Sequence, residues 1–504
     1  MRDSAGIAPD FLARSVDAAI LGARSARHDV ACSEARSAWN DVAVRGSVLI
    51  AGATSDAGKS VIVAGLCRLL ARRGVRVAPF KAQNMSLNSA VTADGAEIGR
   101  AQAFQAFCAG VEPEAAMNPV LLKPTSEHRS QVIVLGEAVD EVEAGAYGAR
   151  AASLLPLVLH ALDELRAVHD VVICEGAGGA AEINLLGRDI VNLPLAAAAG
   201  VPAIVVGDIE RGGVFASLYG TWALVPPPLR ACVRGFVINR FRGSAALLAD
   251  GPALLSARCD GVPVLGVLPF VEGLTVDDED SVALSSPSWA TDGSVLDVAV
   301  VRFPRISNVT DVDPLRAEPG VRVRLVSSVA ELGNPDLIVV PGTKSTVADL
   351  AWFRSVGLAD AVQDSSATVL GICGGYQMMG SRIDDDVESR AGVVAGLGWL
   401  DVTTTFHPKK VVRRRAHGYE IHHGVVSDDS LLHDEGRMLG TSLHGFFEDD
   451  GLRHAFLADL AGQTSWASDV SFAAVRLAQA DRLADLLEAN LDLDAVFALI
   501  ESAG

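Results

Sequence analysis

Two stretches of this sequence combine residue types that are typical of enzyme chemistry. The first, residues 51–60, reads A-G-A-T-S-D-A-G-K-S and follows a short apolar run at residues 47–50. Small residues let backbone N–H groups point at phosphate oxygens, a lysine neutralises the terminal phosphates, and a hydroxyl ligates Mg²⁺. The order of strand, small-residue turn and helix therefore predicts a P-loop that binds a nucleoside triphosphate.

The predicted P-loop departs from the strict motif at one position, because Ala53 stands where that motif has glycine. A glycine-rich turn without a ligand is the alternative, but such a turn does not require a Lys-Ser pair after its last glycine. We therefore assign nucleotide binding to Thr54, Asp56, Gly58, Lys59 and Ser60. An acid inside this loop is favourable where Mg²⁺ offsets its repulsion from phosphate, so Asp56 and Ser60 are also candidate metal ligands.

The second stretch, residues 369–377, reads V-L-G-I-C-G-G-Y-Q and predicts a strand, a sharp turn and a helix. This geometry exposes a nucleophile at the turn, and a helix N-terminus there favours the thiolate form of Cys373. His444, at the end of the run G-T-S-L-H, is the candidate base. The alternative is that Cys373 is a buried, unreactive thiol, but the glycines around it argue for the nucleophile.

Two glycines are candidates for binding the oxyanion that a thiolate attack on a carbonyl produces. Gly342 lies in the turn P-G-T-K-S after another predicted strand, and Gly374 follows the cysteine directly. Each of them can offer a backbone N–H to the developing negative charge.

The elements around these stretches alternate between β-branched runs and helical segments, which predicts parallel α/β sheets. The predicted strands are residues 48–51, 75–80, 171–174, 203–206, 235–238 and 264–267, then 298–301, 323–326, 337–340 and 369–372. Open α/β sheets bind ligands at the carboxyl ends of their strands. Five polar or glycine-rich clusters follow strands of the first set, at residues 51–60, 81–88, 175–179, 208–213 and 239–242.

Charged residues in or near these clusters are candidates for metal and substrate binding. Glu175 follows an apolar strand and precedes glycines, so it is a candidate Mg²⁺ ligand, with a helix N-cap as the alternative. Lys123 and Arg129 are candidates for neutralising an anionic substrate, with a solvated surface position as the alternative.

Composition narrows the class of protein. The chain has 504 residues, which is too long for one core, and a net charge of −20, which argues against nucleic acid or an anionic membrane as the main partner. No apolar run reaches membrane-spanning length, and we expect no signal peptide. Seven cysteines without a C-x-x-C pair favour buried free thiols in a reducing cytoplasm. We expect the basic run at residues 409–415 to be a solvated loop.

Longer motifs resemble known families. The Cys373/His444 pair and P-G-T-K-S-T resemble the class I glutamine amidotransferase domain, while T-S-D-A-G-K-S, E-G-A-G and V-I-N-R-F resemble dethiobiotin-synthetase-like ATPases. With the ATPase-like part before the amidotransferase-like part, the chain resembles the cobyric acid synthase family over roughly residues 47–500. Four further motifs carry this resemblance: F-K-A-Q-N-M-S-L-N-S, M-N-P-V-L-L-K-P-T, R-F-P-R-I-S-N and G-Y-E-I-H-H-G.

The resemblance implies two doubly wound, mostly parallel α/β domains, the first P-loop ATPase-like and the second a flavodoxin-like glutamine amidotransferase. We place them at residues 47–275 and 297–485, with a partly helical or disordered extension at 1–46, a linker at 276–296 and a C-terminal helix at 486–504.

The resemblance further implies ATP- and glutamine-dependent amidation of the b, d, e and g carboxylates of adenosylcobyrinic acid a,c-diamide, with Mg²⁺ as cofactor. By motif position it assigns Asn239 to the adenine and Asp189 to the corrinoid side, and we assign Gln83, Asn84 and Lys123 to the substrate as well. Glutamine and the corrinoid are then the partners, and the oligomeric state stays open.

One position departs from the amidotransferase pattern. Many class I enzymes carry a Glu two residues after the histidine, and this chain has Phe446 there. Glu448 is a weak substitute, so we expect a backbone carbonyl or water to orient His444, and slow glutaminase turnover without acceptor.

Two other functions stay open at this point. A cobyrinic acid a,c-diamide synthase uses the same chemistry on different carboxylates. A ParA/MinD-type ATPase switch performs no synthesis, but its P-loop carries a second lysine where this chain has Thr54, and it has no reason to carry a cysteine elbow.

Overall fold

The computed structural model describes residues 44–125, 129–274, 295–463 and 465–503, which form two compact units. The P-loop unit comprises residues 44–86, 92–125, 129–274 and 476–503. The Cys373 unit comprises residues 87–91, 295–463 and 465–475. Most of the predicted extension, including Cys32, and most of the predicted linker lie outside the described residues.

Helices and strands alternate along both parts of the chain. From residue 44 to 274 they are β1 Gly46–Gly52, α1 Lys59–Arg72, β2 Val77–Phe80, β3 Gln83–Met85, β4 Ser89–Val91, β5 Glu97–Gly99, α2 Arg100–Ala109, β6 Val120–Pro124, β7 Arg129–Val134, β8 Glu137–Glu143, α3 Ala144–Val168, β9 Val171–Glu175, α4 Leu193–Ala199, β10 Ala203–Asp208, α5 Val214–Leu224, α6 Pro227–Arg230, β11 Val233–Phe241, α7 Gly251–Arg258 and β12 Val264–Pro269.

From residue 295 to 503 the elements are β13 Leu296–Val301, α8 Asp313–Arg316, β14 Val321–Val326, α9 Val329–Leu332, β15 Leu337–Val340, α10 Thr346–Ser355, α11 Leu358–Asp364, β16 Thr368–Ile372, α12 Gly374–Met379, β17 Arg382–Asp385, β18 Gly392–Ala395, β19 Thr403–Arg415, β20 Gly418–Val426, β21 His433–Glu435, β22 Met438–Thr441, α13 Asp450–Leu460, α14 Phe472–Asn490 and α15 Leu493–Glu501.

The main sheet of the P-loop unit has the strand order β12-β11-β10-β1-β9-β2, and every neighbouring pair is parallel. The central strand β1 is buried on both faces, which explains why its sequence is a continuous apolar run rather than an alternating one. The α/β class with mostly parallel sheets, predicted from the sequence, is confirmed. Because the strands are parallel, the turns that follow them meet at one edge of the sheet.

The C-terminal helices belong to the core of the P-loop unit. Leu483 and Leu487 of α14 lie in the same buried cluster as Ile62 and Leu66 of α1. A Cβ at Gly65 would lie 2.6 Å from Leu487 Cδ1, so glycine lets the two helices approach closely. These helices therefore support the helix that begins at the P-loop lysine.

The main sheet of the Cys373 unit has the order β14-β13-β15-β16-β22-β21, and only the edge pair β21–β22 is antiparallel. A second sheet has the order β18-β17-β19-β20. The prediction of a loop at residues 409–415 is wrong, because these residues form the end of β19 and pair with β20. Arg413 and Arg415 bind Glu420 there, so cross-strand ion pairs explain part of this basic run.

Two further observations concern the described residues only. Their helices include none that combines the length and the apolar character needed to span a bilayer. Their cysteines are all free thiols, at positions 67, 108, 174, 232, 259 and 373.

We predict that truncating the contact between α1 and α14 destabilises the protein. Leu487→Ala removes a fully buried side chain, and substitutions of this kind lower the free energy of unfolding by about 2–5 kcal/mol. Urea unfolding followed by circular dichroism measures this change. Leu254→Ala, at a half-exposed position of α7, is the control and should change stability by less than about 0.5 kcal/mol. Equal stability of the two variants would show that α14 does not contribute to this core.

Candidate functional site

Cys373 lies at a strained turn between a strand and a helix. It follows β16 directly, precedes α12, and has φ 50° and ψ −107°, a conformation that costs on the order of 1–3 kcal/mol for a residue other than glycine. A Cβ at Gly375 would lie 1.8 Å from the Val340 carbonyl oxygen, so only glycine fits there. The backbone is therefore arranged to place the thiol at the end of the sheet.

The candidate base His444 has a carboxylate partner that the sequence analysis did not identify. His444 Nδ1 lies 2.7 Å from Asp311 Oδ2, and the other oxygen, Oδ1, accepts the Gly445 N–H at 2.9 Å. The expectation that a backbone carbonyl or water orients His444 is therefore wrong. The imidazole is held by a buried aspartate, and Phe446 packs in the apolar core instead.

Asp311 was missed because it is distant in sequence, 133 residues before His444. It lies in a 3₁₀ turn, Val309–Val312, that follows the motif R-F-P-R-I-S-N. That motif ends three residues before Asp311. Its length was the only feature of the sequence that pointed to this segment.

The electrostatics favour a protonated His444. Burial opposes the imidazolium, but the Asp311 carboxylate, together with the electrostatic and hydrogen-bond interactions with Cys373, outweighs burial and raises the pKa of His444 to about 10. At neutral pH the site therefore holds an imidazolium beside the Cys373 sulfur.

Both glycines predicted for the oxyanion hole border this site. A Cβ at Gly342 would lie 3.0 Å from His444 Cε1, and a Cβ at Gly374 would lie 2.8 Å from Thr343 Cγ2. The turn after β15 and the turn after β16 are therefore in direct contact. Glycine at both positions permits that approach.

His422, within the motif G-Y-E-I-H-H-G, is a second histidine near the site. Within the described part of the chain, neither of its ring nitrogens has a hydrogen-bond partner, although the side chain is buried. Burial lowers the pKa of His422 to about 4; Glu420 opposes this shift, and His444 adds to it. A neutral imidazole with two unsatisfied nitrogens can both donate and accept a hydrogen bond.

In the P-loop unit, the predicted phosphate loop connects β1 to α1. Lys59 Nζ donates to the carbonyl oxygens of Gly178, at 3.0 Å, and Thr54, at 3.3 Å. Gly58 has φ 94°, and a Cβ there would lie 2.0 Å from Asn239 Nδ2. Asn239 itself donates to the Ala57 carbonyl at 2.9 Å, so the predicted adenine-binding residue lies against the back of the loop.

Glu175 is the centre of a buried polar network next to the loop. Its Oε1 accepts hydrogen bonds from Ser60 Oγ and from Lys81 Nζ, both at 2.9 Å, and Gln105 Nε2 donates to its Oε2. Burial would raise the pKa of Glu175, but Lys81, with the bonds from Gln105 and Ser60, outweighs burial and lowers the pKa. Glu175 is therefore a carboxylate held by side chains, and the helix N-cap alternative does not describe it.

The oxygen atoms of Ser60 and Glu175 are hard ligands of the kind that Mg²⁺ prefers. Lys81 and Gln105 already donate hydrogen bonds to the two carboxylate oxygens of Glu175. The carboxylate therefore fits a contact to the ion through water better than direct coordination. Asp56, the third predicted ligand, is exposed in the loop with φ 55°. The structure thus brings Ser60 and Glu175 together and leaves Asp56 at the surface.

The predicted substrate residues fall into two groups. Gln83 and Asp189 line one cavity of about 460 Å³ that is also bordered by Ser55 of the phosphate loop. Asp189 Oδ1 accepts the N–H groups of Val191 and Asn192, at 2.8 and 2.9 Å, so it also shapes the wall of this cavity.

The other two predicted substrate residues have buried partners inside the protein. Asn84 Nδ2 donates to Gln102 Oε1 at 2.9 Å, and Lys123 Nζ lies 2.7 Å from Glu97 Oε1. The charge of Lys123 is therefore offset by a carboxylate of the protein itself. Arg129 is partly exposed and lies 3.8 Å from Glu141.

Comparison with known proteins gives matches over both units. The family described as "CobQ/CobB/MinD/ParA nucleotide binding domain" matches residues 48–282, and the "CobB/CobQ-like glutamine amidotransferase domain" matches residues 297–452. A protein named cobyric acid synthase from Streptomyces coelicolor is 52% identical over 91% of this chain and 97% of its own length. One of the same name from Rhodococcus jostii is 52% identical over 90% and 95%. A third, from Frankia casuarinae, is 51% identical over 90% and 96%.

We predict that Asp311→Asn makes Cys373 less reactive. The neutral amide no longer supports the imidazolium, so the pKa of His444 falls and less of the thiol is ionised near neutral pH. We expect the alkylation rate of Cys373 by iodoacetamide at pH 7.5 to fall by about tenfold or more. Mass spectrometry of the Cys373 peptide over time measures this rate.

The control for this test is Asp360→Asn, an exposed position on α11 in the same unit. Its alkylation rate should match that of the unchanged protein. If Asp311→Asn also matched it, Asp311 would not be the group that sets the protonation of His444.

Proposed function

The chain belongs to the cobyric acid synthase family, and we propose that it uses ATP and glutamine to amidate the b, d, e and g carboxylates of adenosylcobyrinic acid a,c-diamide in cobalamin biosynthesis. The observation that carries this proposal is the buried set Cys373, His444 and Asp311 in one unit, together with a phosphate loop in the other. A thiol site releases ammonia from glutamine, and a phosphate site activates the acid that receives it.

In the glutaminase half of the proposed reaction, Cys373 is the nucleophile. Its thiolate attacks the side-chain amide carbon of glutamine, and the backbone N–H groups of Gly342 and Gly374 stabilise the oxyanion. The His444 imidazolium then gives its proton to the leaving nitrogen, which departs as ammonia and leaves a thioester. Water, deprotonated by His444, hydrolyses the thioester to glutamate and restores the thiol.

In the synthetase half, the P-loop unit transfers a phosphoryl group to a corrinoid carboxylate. Lys59 and the loop N–H groups bind the β- and γ-phosphates, and Ser60 with Glu175 would hold Mg²⁺, which offsets the charge that develops on the phosphates. The products are ADP and an acyl phosphate. Ammonia attacks the acyl carbon, the amide forms, and inorganic phosphate leaves.

The cavity beside the phosphate loop is the proposed corrinoid side of this site. Gln83 and Asp189 line it together with Ser55 of the loop, so a carboxylate held there lies near the phosphates. Asn84 and Lys123 stay predicted substrate residues, although each has a buried partner. Asn239 stays the predicted adenine contact, and Asp56 a predicted contact of the metal.

The relatives favour this function over the two alternatives. Each of the three relatives compared above is named cobyric acid synthase, and the match covers nearly its whole length. An a,c-diamide synthase would give a different amidated product, which mass analysis distinguishes. A ParA/MinD-type switch has no use for a thiol site with a buried histidine and aspartate.

We predict that two substitutions separate the two sites. Cys373→Ser removes the thiolate, so glutamine-dependent amidation should fall by at least about 10³-fold while amidation from added ammonium persists. Lys59→Ala removes the cation at the phosphates, so amidation from either nitrogen source should be lost while glutamine hydrolysis persists. Product masses and glutamate release, measured with ATP, Mg²⁺ and corrinoid, test both variants.

The two variants are controls for each other, because each keeps the site that the other loses. Glutamine use by Cys373→Ser would refute the assignment of the nucleophile. Ammonia-dependent amidation by Lys59→Ala at the normal rate would refute the phosphate loop.

We also predict that partly amidated intermediates leave the enzyme. One phosphate loop gives one activation site, so the corrinoid must be released and rebound, or turned, between amidations. Each amidation replaces a carboxylate by a neutral amide, which weakens attraction to positive groups at the site. Mass analysis of the free corrinoids during the first turnovers, under excess substrate, should therefore find intermediates before the final product.

Asp189 provides a variant for the same measurement. Asp189→Asn keeps an oxygen for the N–H groups of Val191 and Asn192 but removes the charge from the cavity. It should change which intermediates accumulate and leave ATP binding within about twofold, whereas Glu164→Gln, at an exposed position on α3, should change neither. Fully amidated product from the first turnovers, without free intermediates, would show that the corrinoid is held throughout.

A further inference from the structure

The position of Asp311 depends on the residue that begins its turn. Asn308 starts the 3₁₀ turn Val309–Val312 with φ 52° and ψ 43°, in the left-handed region that asparagine tolerates better than most residues. The Asp311 N–H donates to the Asn308 carbonyl at 3.0 Å. A shift of Asn308 therefore moves the carboxylate that holds His444.

Asn308 is in turn held by two residues from a distant part of the sequence. Its N–H donates to Asn88 Oδ1 at 2.7 Å, and its own Oδ1 accepts the Ser89 N–H at 2.9 Å. All three residues are buried, so these bonds are not replaced by bulk water. The two bonds form a reciprocal clamp on the backbone and the side chain of Asn308.

The same segment also reaches His444 by a second route. The Ser89 carbonyl accepts a hydrogen bond from Tyr419 Oη at 2.9 Å. The Tyr419 ring stacks on the His444 imidazole, with centroids 5.5 Å apart and planes at 28°. Tyr419 and His444 also exchange two backbone hydrogen bonds, of 3.0 and 2.8 Å.

We propose that Asn88 and Ser89 are positioning residues for the glutaminase site, acting on His444 through Asn308 and Asp311 and through Tyr419. The function proposed above supplies the reaction on which this rests. Asn88 and Ser89 belong to the Cys373 unit, but the chain on either side of residues 87–91 belongs to the P-loop unit. The glutaminase site is therefore completed by a segment that lies, in sequence, inside the synthetase.

The test compares two substitutions of Asn308. Asn308→Gly tolerates the left-handed backbone but removes the oxygen that accepts the Ser89 N–H. Asn308→Asp keeps such an oxygen at the same place. Loosening the turn displaces Asp311 and His444 relative to Cys373, and misplacement of about 1 Å costs on the order of 100-fold in rate.

We expect Asn308→Gly to lower kcat for glutamine hydrolysis by about 10- to 100-fold, with KM changed by less than about threefold. Asn308→Asp should restore kcat to within about threefold of the unchanged protein. Tyr419→Phe, which keeps the ring but loses the bond to Ser89, should lower kcat by a smaller factor. Asn334→Gly, the same change at an exposed position, is the control and should have no effect.

Alkylation of Cys373 by iodoacetamide is the second readout, because it needs neither glutamine nor corrinoid. It should slow in Asn308→Gly and recover in Asn308→Asp. If the unchanged protein does not hydrolyse glutamine, the proposed function fails, and alkylation alone still decides the positioning role.

Either of two outcomes overturns the proposal. One is that folded Asn308→Gly, checked by circular dichroism, keeps both kcat and the alkylation rate within twofold of the unchanged protein. The other is that Asn308→Asp is as impaired as Asn308→Gly. If Asn308→Gly does not fold, Asn88→Ala and Asn88→Asp are judged by the same criteria, since only the second keeps an acceptor for the Asn308 N–H.

Discussion

A protonated histidine inside a protein needs a fixed negative partner, because burying an unpaired cation costs several kcal/mol. Asp311 is that partner for His444. Both of its oxygens are used, one on the imidazole and one on the Gly445 N–H, so the carboxylate sets the charge of the ring and the direction of the backbone that carries it. The strained turn at Cys373 presents the sulfur, but without Asp311 the histidine beside it would be neutral and free to turn.

The phosphate site uses the same principle with the opposite sign. Glu175 is fully buried, and Lys81 keeps it ionised while Ser60 and Gln105 fix its orientation. In both units a buried charge is therefore paired and oriented by the protein itself. This matters in a chain of net charge −20 whose proposed substrates are anions, because local pairing must act against the overall field.

The local structure was predicted correctly around those site residues that lie within one short segment of strand, turn and helix. A strand, a small-residue turn and a helix follow each other within about ten residues at both Cys373 and Lys59, so the sequence alone predicts these turns. The ten predicted strands, which are β1, β2 and β9–β16, were also placed to within a few residues, because buried parallel strands are continuous apolar runs. The strands β3–β8 and β17–β22 were not predicted.

The main error concerns a contact between distant parts of the chain, because Asp311 lies 133 residues from His444. No periodicity or spacing encodes such partners. They arise only when the sheet brings the segments together, so a single sequence predicts the candidate nucleophile but not the carboxylate that holds the candidate base.

The protonation states around Cys373 also bear on what leaves the site. Ammonia attacks an acyl phosphate only as the neutral molecule, so a glutaminase that feeds a synthetase must not protonate its product. In the proposed reaction His444 gives its proton to the leaving nitrogen as the carbon–nitrogen bond breaks. His422, with a pKa of about 4, is uncharged at neutral pH and so is not a second imidazolium beside this site. Burial thus lowers the pKa of both histidines, and the carboxylates decide the difference between them. At His444 the Asp311 carboxylate outweighs burial and the ring is charged, whereas at His422 the opposing effect of Glu420 is too small and the ring stays neutral.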